Sequence, residues 1–238
     1  MPPEAPNVPL QVNTCVGSNQ LPPPLLKPLR WKSPNGEEAN FSIAYFFAGH
    51  KRHNDIGDFI ARWCDGYEDI KLRMVEIDTL RGGQDHDLSA SDMRQRYLDD
   101  VEEGKHHTVI STPPCSGFSR VLYANNRGPK PLRNRRYPWG FPWLTAGDRR
   151  KVEMDNALIK FNFQVLKAVA SARGMGLTEH PEDLGATPRG TPASIWQLEE
   201  CDELEKLGYS SWAIHQSDFG TPYAKPSRFM DNSGVGNH

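Results

Sequence analysis

The chain has 238 residues and a formal net charge of -2, from 28 Lys and Arg against 30 Asp and Glu. That length allows one domain with a well-buried core, and that balance excludes an overall pull toward nucleic acid, so any such pull must come from a local basic patch. No apolar run approaches membrane-spanning length and the N-terminus lacks the basic-then-apolar order of a secretory signal, so the expectation is an intracellular protein, cytoplasmic or nuclear, without membrane contact.

Residues 1–39 differ in kind from the rest. "MPPEAPNVPL" and "QLPPPLLKPLRW" are too rich in proline for helix or central strand and are predicted to form an extended, largely disordered arm. Residues 40–238 are expected to form the folded domain. Its first signal is the apolar run "FSIAYFFAG", a strand ending at Gly49, followed by a helix that Asn54 can cap and that carries Ile56, Phe59, Ile60 and Trp63 on one face. "KLRMVEID" reads as a second strand, "SASDMRQRYLDDVEEG" as a polar helix opened by Ser91, and "HHTVIST" as a nearly all-apolar third strand. A long loop leads to a helix on which Met154, Leu158, Phe161, Val165 and Val169 keep helical spacing, and "MGLTEHP" is the strand after it. Thr191 and Pro192 are expected to cap and open a helix bearing Ile195, Leu198, Cys201 and Leu204, and "SSWAIHQSDFG" is the last predicted strand. Strands alternating with helices predict an α/β fold, a mainly parallel sheet with helices on both faces.

In such sheets ligands bind beyond the carboxyl ends of the strands. Gly49 follows the first strand, Glu76 and Asp78 end the second, Cys115 follows the third, and Glu179-His180-Pro181 follows the fourth, all on one edge. The four cysteines, Cys15, Cys64, Cys115 and Cys201, are scattered, with no C-x-x-C pair and no His cluster at zinc spacing, which predicts free thiols and no metal. Cys64 and Cys201 fall on apolar helix faces and read as small buried hydrophobes. Cys115, placed just past a double proline at a strand end, reads as a nucleophile. Between 116 and 150 lies a basic aromatic loop: Arg120, Arg127, Lys130, Arg133, Arg135, Arg136, Arg149 and Arg150, with Lys151 just beyond, are opposed by Asp148 alone and interleaved with Tyr123, Tyr137, Trp139, Phe141 and Trp143. Guanidinium groups pair with phosphates and aromatic rings stack on unpaired bases, so Arg120, Arg133, Arg135, Arg136, Tyr137 and Trp139 are the expected nucleic-acid contacts.

Thr112-Pro113-Pro114-Cys115-Ser116-Gly117-Phe118-Ser119 resembles the Pro-Cys motif of the cytosine-C5 DNA methyltransferases. Further matches follow in that family's order from about Ile43 to Phe229: Phe47-Ala48-Gly49, the acidic strand end at Glu76 and Asp78, Asp87 in "HDLS", Glu179-His180-Pro181, and "SDFGTPYAKPSRF". The resemblance implies a Rossmann-like methyltransferase fold with S-adenosylmethionine as cofactor, held by Phe47, Gly49, Glu76 or Asp78, Asp87 and Pro113. It also implies methyl transfer to C5 of cytosine in nucleic acid, DNA more than RNA, through a Cys115 adduct. The chemistry fits the residue types. Cytosine C5 is a poor nucleophile until a thiolate adds to C6, Glu179 is the candidate acid for N3, and Lys225 or Arg228 can face the negative charge growing near O2.

Three departures accompany the resemblance. His50-Lys51-Arg52-His53 stands where the family's cofactor loop continues into a pair of glycines. Lys225 and Arg228 only partly reproduce the usual basic cluster. The chain stops at "FMDNSGVGNH", where a target-recognition region would follow, so a protein partner is expected to supply it. Two rival readings stay open: a catalytically degenerate nucleic-acid-binding module, and a cysteine hydrolase pairing Cys115 with a histidine.

Overall fold

The computed structural model describes residues 31–32, 38–125 and 127–234; residues 1–30 of the proline-rich arm, Cys15 among them, lie outside the described residues. The end of that arm is not featureless, because Trp31–Lys32 (β1) pairs antiparallel with Glu38–Ala39 (β2). The main sheet is built from Phe41–Phe46 (β3), Leu72–Ile77 (β4), Thr108–Ser111 (β5), Met175–Pro181 (β6), Ser210–His215 (β7) and Pro226–Asp231 (β8). Its order is β4-β3-β5-β6-β8-β7. The β3–β4, β3–β5 and β5–β6 ladders are parallel, whereas β8 runs antiparallel to both β6 and β7, so a single strand is reversed within the sheet. The chain winds outward from β3 in one direction to β4 and in the other to β5 and β6, which makes the sheet Rossmann-like and puts its switch point between β3 and β5.

Strand alternation decides what each face meets. Ala44 and Phe46 of β3, Ile77 of β4 and Val109 of β5 point to the side covered by helices Ser91–Glu102 (α3) and Ala146–Ser171 (α4). There Phe46 meets Tyr97 and Phe161 edge-on, with ring centroids 5.7 and 5.2 Å apart. Each such fully buried aromatic or aliphatic side chain stabilises the fold by about 1.5–3 kcal/mol. α4 starts at Thr145, whose hydroxyl accepts the Asp148 N–H, and buries two stripes. Phe161, Val165 and Val169 face the sheet, while Ile159, Phe163 and Leu166 join a second cluster with helix Glu199–Lys206 (α5). Glu76, which alternates with Ile77, points to the opposite face, where helix Ile56–Cys64 (α1) sets Gly57 against it.

Several details differ from the expectations. Asp55, not Asn54, caps α1, because Asn54 sits at φ 57° while the Asp55 carboxylate accepts the Asp58 N–H. The stripe of Ile56, Phe59 and Trp63 is exposed (40, 62 and 57 %), since α1 turns Gly57 and Cys64 inward instead. Thr191-Pro192 opens no helix: Ser194 accepts the Trp196 N–H to form a 3-10 turn, and α5 begins only at Glu199. β8 is a strand that the sequence pattern does not announce.

Candidate functional site

β5 is buried throughout and delivers the chain to the site by a short relay. The Thr112 N–H donates to the Phe46 carbonyl (3.2 Å) and its hydroxyl to the Phe47 carbonyl (3.0 Å), tying the end of β5 to the end of β3. After the rigid Pro113-Pro114 step, Cys115 sits at φ -102°, ψ -3°, the sparsely populated bridge region common in active sites. Its carbonyl accepts the Phe118 N–H (3.0 Å), and Phe118 is buried beneath the loop, edge-on to His180 at 5.5 Å. Burial pushes the Cys115 thiol above its ordinary value, Lys225 pulls it down and Glu179 adds to the rise. Lys225 and Glu179 thus act on the thiol in opposite directions, with burial the larger influence.

Glu179 is fixed by partners from β8 and the loop before it. Its Oε1 accepts the Ser227 hydroxyl at 2.7 Å and the Lys225 ammonium at 3.5 Å. The Ser227 oxygen in turn accepts from Gln216 Nε2 (3.1 Å), which leaves its hydrogen pointed at Glu179. Arg228 goes elsewhere: its guanidinium holds Glu182 through Nε and NH2 at 2.9–3.2 Å and reaches Ser211 Oγ at 2.9 Å. Alternation along β8 sends Ser227 and Arg228 to opposite sides, so the cation beside Glu179 is Lys225 and not Arg228. His180 is buried between Phe118 and Trp196, and burial pushes it down to about 3, so its ring is neutral.

Cys115 opens onto a cleft of about 670 Å³ whose walls include Ser119, Arg120, Val121, Pro181, Leu184 and Lys225. That volume suits a small ligand or an extruded base. Arg120 is a strut of this wall: its two terminal nitrogens donate to the carbonyls of Leu184, Gly185 and Ala186 at 2.7–3.1 Å.

The basic aromatic loop divides in two. Arg133 is 1 % exposed, lies 4.1 Å over the Phe118 ring, and donates to the Pro138 carbonyl, Asn156 and Asp155. This corrects its expected role: a guanidinium enclosed this way supports the Cys115 loop from below and is not available to a phosphate. Trp139 likewise packs against the α4–α5 cluster, with Lys160 over its ring. Arg135 and Arg136 are exposed, and Tyr137 joins an aromatic group in which Phe141 and Trp143 stack at 5.1 Å.

Of the expected cofactor residues, Phe47, Gly49, Glu76 and Asp78 lie at the carboxyl ends of β3 and β4, while Pro113 follows β5 and Asp87 lies beyond the helix after β4. Phe47 adopts φ 63°, costly for a bulky residue, and Gly49 φ 66°. This turn aims the Gly49 N–H at Asp78 Oδ2 (3.0 Å), while Asp78 Oδ1 accepts the Leu80 N–H (2.9 Å) and caps the short helix Thr79–Gly82 (α2). Asp87 accepts the Ser89 N–H at 2.9 Å. Across the same crevice lies Arg81 of α2. It donates to the Gly49 carbonyl (2.8 Å), the Ala48 carbonyl (3.3 Å), Glu76 Oε2 (2.5 Å) and Asp55 Oδ2 (3.0 Å). Glu76 Oε1 is buried without a hydrogen-bond partner against Gly57, where a Cβ would come within 2.4 Å of it. In doubly wound folds an acid at the end of the second strand receives ribose hydroxyls. Here Asp78 already accepts the Gly49 and Leu80 N–H groups and Glu76 Oε2 already holds Arg81, so a ribose diol at these acids competes with donors of the chain itself.

Sequence reasoning missed Ser227, Gln216 and Arg81. A strand-end carboxylate that meets a serine only across a strand pair leaves no local pattern, and neither does an arginine whose partners lie in the Phe47–Gly49 turn, 32 or more residues before it.

No family model and no curated protein matches the chain. Among solved structures it is similar to the Entamoeba histolytica methyltransferase EhMeth, at 11% identity and a TM-score of 0.36, covering 80% of this chain and 52% of that one. It is also similar to the S. pombe Dnmt2 methyltransferase, at 16% identity and a TM-score of 0.39, covering 80% and 50%. The chain thus spans about half the length of the structures it matches. No helix among the described residues is long and apolar enough to cross a membrane.

Proposed function

We propose that the Cys115 cleft receives an unpaired cytosine of a nucleic acid, DNA in preference to RNA, and that the domain performs the nucleophilic half of cytosine-C5 methyl-transfer chemistry. The observation that carries this reading is that Cys115 and Lys225 line one cleft at the strand carboxyl ends, with Glu179 held beside them by Lys225 and Ser227. Lys225 favours the thiolate. The sulfur forms a bond to C6, the C5–C6 π pair becomes the C4–C5 bond, and the C4–N3 pair moves to N3, which takes a proton that Glu179 relays from solvent. Ser227 and Lys225 hold the carboxyl group in place, and Lys225 supplies a cation for charge developing on the ring. Arg135 and Arg136 are the loop's exposed cations for the phosphates. A protein partner for target recognition belongs to the same reading.

Addition to C6 makes C5 basic, so C5 can take up a solvent proton and lose its own before the sulfur leaves. No second substrate is required. The test is therefore cytosine C5–H exchange in an oligonucleotide incubated with the protein in heavy water. Exchange is expected with the wild-type chain and is expected to disappear in Cys115→Ser, because an alkoxide is far harder to form than a thiolate near neutral pH. Equal exchange in both proteins would exclude Cys115 as the nucleophile.

The closed crevice beside Arg81 favours a second reading, a module that binds nucleic acid without transferring a methyl group. Bound oligonucleotide with no exchange would select it.

A further inference from the structure

The crevice at the ends of β3 and β4 is closed by a side chain with no place in the cytosine chemistry. Arg81 is 9 % exposed in its side chain, and its guanidinium reaches back across the chain to the backbone of the Phe47–Gly49 turn. Its remaining donors hold Glu76 and Asp55, and Lys51 adds a second cation to the same acids, 3.0 Å from Asp55, 2.7 Å from Asp58 and 3.8 Å from Glu76. Burial works to raise the Asp55 carboxyl, but the N–H groups of Asp58 and Arg52 and the side chains of Lys51 and Arg81 outweigh it and hold Asp55 well below the usual carboxylate range. Asp55 therefore stays charged through neutral pH.

A ribose diol and a guanidinium both present closely spaced pairs of donors, and both would use the acid at the end of the second strand. We propose that Arg81 is an internal occupant of the ribose subsite, and that an adenosyl ligand binds only by displacing it from Glu76 and the Ala48 and Gly49 carbonyls. This rests on the methyltransferase-like reading of the site and adds to it the residue that sets ligand affinity. Displacement means that the measured affinity is the intrinsic affinity reduced by the fraction of molecules with Arg81 swung out.

The test is calorimetric titration of S-adenosylhomocysteine into the full chain and two variants. Arg81→Ala removes the occupant. Asp55→Asn weakens its hold while keeping a good helix cap, since asparagine accepts the Asp58 N–H as well as aspartate does. Affinity is expected to rise about tenfold or more in Arg81→Ala and by a smaller factor in Asp55→Asn. Unchanged affinity in both, no binding by any of the three, or weaker binding in Arg81→Ala with an intact melting transition would overturn the proposal. Should Arg81→Ala fail to fold, Asp55→Asn decides alone. C5–H exchange by the wild-type chain needs no adenosyl ligand, so its loss would remove the Cys115 reading without touching this result, and its presence alongside flat titrations would remove only the Arg81 proposal.

Discussion

Replacing Glu179 with glutamine is expected to slow cytosine C5–H exchange by about 10²–10⁴-fold, the usual worth of a positioned general acid. The substitution is nearly isosteric, and a glutamine oxygen can still accept the Ser227 hydroxyl now bound at 2.7 Å, so the fold should hold. An amide cannot deliver a proton to N3. The same change should make Cys115 more reactive, because Glu179 raises its thiol and the negative charge would be gone. Alkylation of Cys115 by iodoacetamide, followed residue by residue in a mass spectrometer, is expected to speed up while exchange slows down. Both rates falling together would point to a collapsed site and against an acid role for Glu179.

Acidification is expected to unfold the domain between about pH 6.5 and pH 3. Burial pushes His106 down to about 4, with Arg73 adding to the effect, and His180 down to about 3, with Lys225 and Arg133 adding to it. Both pKa values are lower in the folded chain than in the unfolded one, so the unfolded chain binds more protons in this window. The stability these groups contribute is thus complete above about pH 6.5 and is lost as pH falls through the folded values. Each tenfold difference in proton affinity between the folded and unfolded chain is worth about 1.4 kcal/mol, so the pair amounts to several kcal/mol, comparable with the whole stability of a typical domain. His106 has Ser42 Oγ 3.1 Å from its ring nitrogen and His180 lies among aromatic rings; the Asp100 charge and the Pro114 backbone favour the protonated rings but do not outweigh burial. Melting temperatures measured from pH 7.5 to 4 should fall steeply, and His106→Gln should flatten the upper part of that slope. A flat profile in the wild-type chain would contradict the burial of both rings as neutral groups.

Much of this architecture can be read from the sequence because its signals are local. β3 and β5 are short apolar runs, α3 and α4 keep helical spacing, and the glycine, acids and cysteine of the site follow strands directly. β8 escapes such a reading because its first residues, Pro226, Ser227 and Arg228, carry no strand pattern; it is held by antiparallel pairing between β6 and β7, which is a tertiary effect. The same cause hides the role of Ser227, whose contact with Glu179 exists only through that pairing. Composition misleads at Arg133, where a cation in a basic loop is spent on packing over Phe118 and on buried hydrogen bonds. It misleads at α1 as well, where an apolar stripe at helical spacing faces solvent. Arg81 shows the limit most clearly: nothing in "IDTLRGG" distinguishes a surface arginine from one that fills a neighbouring crevice.

The central claim is that the Cys115 sulfur forms a bond to C6 of a pyrimidine. An oligonucleotide with 2-pyrimidinone in place of one cytosine lacks the electron-donating 4-amino group, so its C6 is a better acceptor and its adduct with a thiolate persists longer. Incubation with the full chain, proteolysis and peptide mass spectrometry would locate any adduct among the cysteines. The expected result is a single modified peptide containing Cys115, with none formed by Cys115→Ser; no adduct at all, or an adduct on Cys15, Cys64 or Cys201 with Cys115 unmodified, would contradict the account.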